Sequence, residues 1–172
     1  MKIRILILGL CLVSVAAFGQ TNPKLKELHY FDGSWQCSGK AFASPMGPEH
    51  PTKATVTAGW ILGGTWLEAH YKEAKTAKNP KPYELRSFWG YDEEPKAIVG
   101  GTVDNMGDYS TATAAWDGDK LTFNGPMHGG GMTAKSRDTF TKVNKNEFRH
   151  EGEMELEGKW MKLDEETCKR AK

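Results

Sequence analysis

The chain lacks an excess of either charge, because its 172 residues include 23 lysines and arginines against 22 aspartates and glutamates. A protein that binds nucleic acid through its phosphates needs a basic surplus on at least one face. The basic residues at the C-terminal end, Lys169, Arg170 and Lys172, are too few to provide that surplus. The composition therefore argues against nucleic acid as a partner.

Short catalytic signatures are also absent. The sequence contains no Gly-x-Ser-x-Gly elbow, no His-Glu-x-x-His pair, no phosphate-binding glycine loop and no Cys-x-x-Cys. We therefore do not predict an enzyme. One alternative stays open: Glu68 and His70 would form an acid–base pair if their face of a strand were internal. If that face is external, Leu67, Ala69 and Tyr71 form the core instead.

Long apolar runs are scarce. The single run, residues 5–18, follows the basic residues Lys2 and Arg4 and is too short to span a bilayer comfortably. A basic start followed by a short apolar run is typical of a secretory signal peptide. No later segment is apolar enough to cross a membrane, so we expect no membrane span after processing.

Small residues mark the end of this signal. Ala17 and Gly19 suit cleavage before Gln20. We predict a signal peptide over residues 1–19 and a single β-barrel domain over residues 20–172. The mature protein is then secreted or periplasmic.

Cysteine is rare, and its spacing is informative. Of three cysteines, Cys11 falls in the predicted signal peptide, which leaves Cys37 and Cys168 in an oxidising compartment. Trp35 and Arg170 lie two residues outside this pair, so antiparallel pairing would set Cys37 opposite Cys168 and Trp35 opposite Arg170. We predict a disulfide that closes the first strand onto the last; the alternative is two free buried thiols.

Helical patterning is nearly absent, and turn residues recur at intervals typical of short strands. We predict an all-β fold, a closed antiparallel barrel of about ten strands, calycin-like. A short N-terminal helix over residues 22–31, with Asn22 as N-cap and Pro23 after it, is expected to plug one end. The predicted strands are residues 34–43, 53–61, 65–73, 83–91, 96–104, 109–116, 120–127, 132–143, 147–156 and 159–170.

The motif Gly33-Ser34-Trp35 resembles the Gly-x-Trp element that opens lipocalin-type and related calycin barrels. In those folds a basic residue of the last strand packs across the Trp ring, a cation–π contact. The resemblance implies this role for Arg170.

A wider resemblance covers most of the predicted mature domain. The chain is similar to an exported bacterial family known as a domain of unknown function (DUF1579-like), which implies a calycin-type barrel and no established activity. The similarity lies in Gly33-Ser34-Trp35, Ile61-Leu62-Gly63-Gly64-Thr65-Trp66-Leu67-Glu68, Trp89-Gly90-Tyr91-Asp92, Val103-Asp104-Asn105-Met106-Gly107, Trp116-Asp117-Gly118-Asp119-Lys120-Leu121-Thr122 and Lys162-Leu163 with Arg170.

The barrel also resembles nitrobindin-like haem proteins, in which a histidine on a late strand ligates the iron. His150 alternates with Phe148 in an apolar row, opposite a charged row, and is predicted to point inward. The resemblance implies haem or nitric-oxide binding by His150 as one alternative function. The other reading is a core histidine bonded to a neighbouring strand, with no cofactor.

The six tryptophans suggest an apolar interior suited to a small apolar or planar ligand. An inward Arg86 or Arg137 would need a charged partner and could hold a ligand carboxylate. Asp104 and Asp138 are possible internal partners, and surface ion pairs are the alternative. The predicted ligand-binding residues are Trp60, Trp66, Trp89, Phe148, His150 and Arg137. The alternative is a structural or interaction module whose core is filled by side chains.

A copper site at the glycine-rich turn is a further possibility. Met127, His128 and Met132 combine soft sulfur with imidazole, ligands that copper prefers. An ordinary glycine turn explains the same residues, and we predict no metal.

Overall fold

The structure is a computed structural model that describes residues 22–77 and 79–172. The predicted signal peptide, residues 1–19, lies outside the described residues. Within them the chain forms ten strands, one 3-10 helix at Pro23–Tyr30 and a short 3-10 turn at Leu62–Gly64. The strands are β1 Gly33–Ala41, β2 His50–Ile61, β3 Trp66–Glu73, β4 Glu84–Asp92, β5 Ala97–Asp104, β6 Tyr109–Asp117, β7 Lys120–Gly129, β8 Met132–Asn144, β9 Glu147–Leu156 and β10 Lys159–Arg170.

Every strand pairs with its neighbours in the sequence, and β1 pairs with β10, so the sheet closes into a barrel. The predicted all-β closed barrel is therefore confirmed. The closing register sets Trp35 opposite Arg170 and Cys37 opposite Cys168. The two cysteines form a disulfide, as their spacing predicts.

Arg170 fastens this seam at one end of the barrel. Its guanidinium lies 4.1 Å from the centre of the Trp35 ring. It also donates hydrogen bonds to the carbonyls of Asp32, at 2.6 Å, and Tyr30, at 2.8 Å. The buried Trp35 indole donates to the carbonyl of Phe31. The last strand therefore holds both the first strand and the segment before it.

The 3-10 helix Pro23–Tyr30, called the capping helix below, closes the end of the barrel where β1 begins. The Asn22 side chain accepts a hydrogen bond from the Lys24 amide and starts the helix. Leu25, Leu28 and Phe31 are then buried in the core. Among the described residues, no helix has the length and apolarity that a membrane crossing requires.

The barrel has a closed end, at the capping helix, and an opposite, open end. Because the strands alternate in direction, β1 runs from the closed end to the open end and β10 runs back. The connections at the open end are residues 42–49, 74–83 (Lys78 not described), 105–108, 130–131 and 157–158.

Candidate functional site

A cavity of about 330 Å³ lies inside the barrel between the capping helix and the open end. Its deep part is aromatic. Phe31 forms the floor, and its ring centre lies 5.4 Å from that of Phe148, while Trp89 and Phe140 are 5.0 Å apart. Phe123 completes this cluster beside Trp89. The closed end therefore offers an apolar surface to a bound molecule.

The wall becomes acidic toward the open end. On β10 the lining residues run from Cys168, deep in the barrel, to Glu166 and then Asp164. The lining residues of β3 and β5 end in the same way, at Glu73 and Asp104. Side chains two residues apart in a strand share a face, so Glu166 stands above Cys168 and Glu73 stands above Tyr71.

His150 occupies the middle of this wall. Its Nδ1 lies 2.9 Å from Asp164 Oδ1, and its Nε2 lies 3.3 Å from Asp138 Oδ1. Burial opposes a charge on the ring, but the two carboxylates outweigh it and raise the pKa of His150 well above its usual value. An imidazole that donates from both nitrogens is protonated. His150 is therefore an imidazolium held between two carboxylates.

Gly152 makes room for this arrangement. It lies opposite Asp138 on one side and Asp164 on the other. A Cβ atom at this position would collide with Asp164 Oδ2 and would lie 3.5 Å from Asp138 Oδ1. A side chain at this position would push the Asp164 carboxylate away from its place beside His150.

A second polar group lies nearer the open end. Glu73 is buried and accepts hydrogen bonds from the Asn79 amide, at 2.5 Å, and the Tyr83 backbone, at 2.9 Å. The Tyr71 hydroxyl donates to Glu166 Oε1 at 3.0 Å. Burial raises the pKa of Tyr71 and that of Glu166. Glu73 is thus fixed by donors, whereas Glu166 receives a hydrogen bond from a single phenol.

Three of the predicted ligand-binding residues, Trp89, Phe148 and His150, line the cavity. Trp60 and Trp66, which were also predicted to bind the ligand, do not line it. The Trp60 ring packs on His29 of the capping helix, with 4.5 Å between ring centres.

Trp66 lies on the opposite side of β3 from the buried Leu67. Its ring covers Gly90, whose added Cβ would meet that ring at 2.8 Å. Trp66 therefore packs on the outside of the barrel.

Arg137 also departs from the predicted lining. Its Nη2 donates to Glu153 Oε1 at 3.0 Å, and its guanidinium lies 4.2 Å from the centre of the half-exposed Trp160 ring. The β8–β9 register sets Arg137 directly opposite Glu153. The ion pair and the indole explain the position of this arginine without a ligand.

The possible acid–base pair on β3 faces outward. Leu67 is fully buried, which turns Glu68 and His70 to the outer side. The His70 ring lies 2.7 Å from Glu84, and Glu68 binds Arg86. These contacts lie on the outer surface, so Glu68, His70 and Arg86 do not line the cavity.

The possible copper ligands do not converge. Met127 lines the cavity, whereas the adjacent His128 stacks on the exposed Tyr109 ring and contacts Thr133. Elsewhere in the described residues, Glu166 lies with Cys37 and Cys168 at metal-ligand distances, but the disulfide leaves no thiolate there.

The residues around His150 do not fit haem ligation. An iron ligand needs an imidazole nitrogen with a free lone pair. Both nitrogens of His150 face carboxylates, and the raised pKa keeps both protonated.

Fold and site together define a closed ten-stranded antiparallel β-barrel whose cavity has an aromatic floor and an acidic upper wall. The chain belongs to the family described as "Protein of unknown function (DUF1579)", whose sequence profile matches residues 20–170. This confirms the resemblance found in the sequence motifs.

The fold is similar to a crystal structure of Rv2717c from M. tuberculosis, with a TM-score of 0.65 and 12% sequence identity. The match covers 89% of this chain and 100% of that chain, and at this identity it shows a common fold alone. No curated protein matches this chain in sequence.

Proposed function

We propose that this barrel binds a small molecule with a largely apolar body in its interior. The observation that carries the proposal is the cavity of about 330 Å³ above the aromatic floor. Pockets that bind small molecules measure roughly 300–1,000 Å³ and combine apolar walls with a few polar groups. The apolar body of the ligand would contact the aromatic rings at the closed end of the barrel, and the polar group of the ligand would lie near His150.

We further propose that the protein works outside the cytoplasm. The Cys37–Cys168 disulfide supports this, because such bonds persist in oxidising compartments. The proposal expects the exported chain to begin at Gln20. Intact-mass measurement of protein recovered from an extracytoplasmic fraction tests it, and a chain that retains residues 1–19 contradicts it.

Binding can be tested with N-phenyl-1-naphthylamine, a neutral aromatic probe whose fluorescence rises in an apolar site. We expect saturable binding at one probe per chain and a higher thermal midpoint when the probe is present, because a ligand of the folded state stabilises it. A barrel whose core is filled, the structural alternative, gives neither signal.

Two neighbouring residues of β6 supply a matched pair of variants. Ala112 lines the cavity, whereas Thr113 is exposed on the outer face. Ala112→Trp is expected to weaken probe binding about tenfold or more by filling the cavity, and Thr113→Trp should leave binding unchanged. Equal probe affinity in both variants, with the barrel intact by circular dichroism, would show that the probe binds elsewhere.

A further inference from the structure

The interior of the barrel is acidic although the chain as a whole is nearly neutral. Among the described residues that line the cavity, seven carry carboxyl groups, and the basic ones are Lys81, His50 and His150. None of these lining residues is an arginine. The charge is therefore unevenly divided between the outside and the inside of the barrel.

Part of this negative charge already has a partner. Glu153 contributes to the cavity lining from β9, but its carboxylate pairs with Arg137 on the outer side of the barrel. Asp138 and Asp164 share the single positive charge of His150, so this group of three keeps a net negative charge. An anionic head group at this level would meet repulsion that a cationic one would not.

Glu166 has no such partner. Glu166 is 6% exposed and accepts a hydrogen bond from the Tyr71 hydroxyl. None of the described residues forms an ion pair with it. The Thr52 hydroxyl, also 6% exposed, lies beside Glu166 and lowers the pKa of its carboxyl group, but no geometric hydrogen bond satisfies this hydroxyl within the described residues. A buried carboxyl group and a buried unpartnered hydroxyl thus meet on the cavity wall.

An ammonium group matches what these two side chains lack. It carries a positive charge and three hydrogen-bond donors, while the Glu166 carboxylate and the Thr52 oxygen can both accept. Charge-assisted hydrogen bonds of this kind are stronger than those between neutral groups. The aromatic layer below, with Phe148 next to Cys168 on the neighbouring strand, would contact the apolar part of the same molecule.

We infer, on the basis of the function proposed above, that the ligand is a cationic amphiphile. Its apolar body lies on the aromatic floor, and its ammonium group lies between Glu166 and Thr52. The negative charges of Asp138 and Asp164, which lie nearer the open end, also attract this ammonium group. Fatty acids and other apolar anions are disfavoured at the same site.

Three ten-carbon probes that differ only in head group test this inference: decylamine, 1-decanol and sodium decanoate. At neutral pH the amine is a cation and the acid is an anion. Their affinities can be measured by displacement of N-phenyl-1-naphthylamine below the micelle concentrations. We expect decylamine to bind about tenfold or more tightly than decanol, a difference of about 1.4 kcal/mol, and decanoate to bind more weakly than decanol.

A matched pair of variants on β10 assigns the effect. Glu166→Gln removes the charge, keeps the size and still accepts from Tyr71, so we expect it to abolish the preference for decylamine and leave decanol binding unchanged. Glu165→Gln alters the neighbouring exposed residue, which pairs with Lys162 on the outside, and should change nothing. If Glu166→Gln fails to fold, Thr52→Val serves instead, with decylamine binding again weakened relative to decanol.

The outcomes separate this inference from the proposed function. Equal affinity for decylamine and decanol, or tighter binding of decanoate, overturns the inference and leaves an apolar binding site standing. A preference for decylamine that survives in Glu166→Gln and in Thr52→Val also overturns it. If neither the naphthylamine nor any ten-carbon probe binds, the proposed function itself is refuted.

Discussion

Removal of the Cys37–Cys168 disulfide is predicted to destabilise the barrel strongly. The bond joins residues 131 positions apart and so restrains almost the whole described chain when unfolded. Loop-closure entropy for this length gives about 5 kcal/mol. In a domain of this size each kcal/mol shifts the midpoint by roughly 2–4 °C, so the thermal midpoint should fall by roughly 10–20 °C.

The assay is urea unfolding followed by tryptophan fluorescence, with Cys37→Ala/Cys168→Ala compared against the native chain. Both cysteines are buried, and alanine keeps these positions apolar, so packing loss adds little. The native chain treated with a reductant should match the double variant, and the double variant should not respond to the reductant. A difference in unfolding free energy below about 1 kcal/mol would refute the entropy argument.

Three further predictions concern the seam and the cavity wall. Arg170→Met should lower the free energy of unfolding in urea by about 3 kcal/mol, because it removes a cation–π contact and two charged hydrogen bonds. The matched control, Lys169→Met at an exposed position, should lower it by almost nothing. Similar losses in both variants would contradict the role of the guanidinium. Gly152→Ala should destabilise the barrel by about 1–3 kcal/mol because its Cβ collides with a carboxylate beside His150. Gly59→Ala, where a Cβ meets nothing within 4 Å, is the control, and equal stability of the two variants would speak against the collision. The folded-state pKa of His150 is raised, so the stability that its charge contributes is complete below about pH 6.5 and is lost as pH rises through the folded-state pKa. The unfolding free energy of the native chain should therefore fall more steeply over that pH range than that of His150→Gln. Parallel pH profiles of the two proteins would exclude the effect.

The closure of the barrel could be predicted because the sequence carries it twice. The cysteine pair and the Trp35–Arg170 pair require the same register, and each pair has a known physical role. The capping helix was readable from Asn22 and Pro23. Turn residues marked the strands well, although β2 begins at His50, three residues before the predicted start.

The acidic wall was harder to predict because it opposes the usual rule that charges face water. Strict alternation from the inward Cys168 places Glu166 and Asp164 inside, but two carboxylates in a row argue for an outer face. The cost of burying these carboxylates is offset by the positive charge of His150 on β9 and by the space that Gly152 leaves for Asp164. Neither compensation is visible within β10 itself.

Trp66 and Arg137 show the reverse difficulty. A large aromatic ring suggests a buried position, but Gly90 on β4 offers a flat outer surface on which Trp66 packs. Arg137 forms an ion pair with Glu153 on the next strand and a cation–π contact with the Trp160 indole. Each partner lies on another strand, so the outcome depends on register between strands and not on the pattern along one of them.

The seam at Arg170 also fixes where attached groups would stand. The Ala171 amide donates to the Ser34 carbonyl at 2.8 Å, so the polypeptide leaves the cylinder beside the point where β1 starts, at the floor. A dye, surface tether or fusion partner joined after Lys172 would hang from the base and leave the mouth unobstructed.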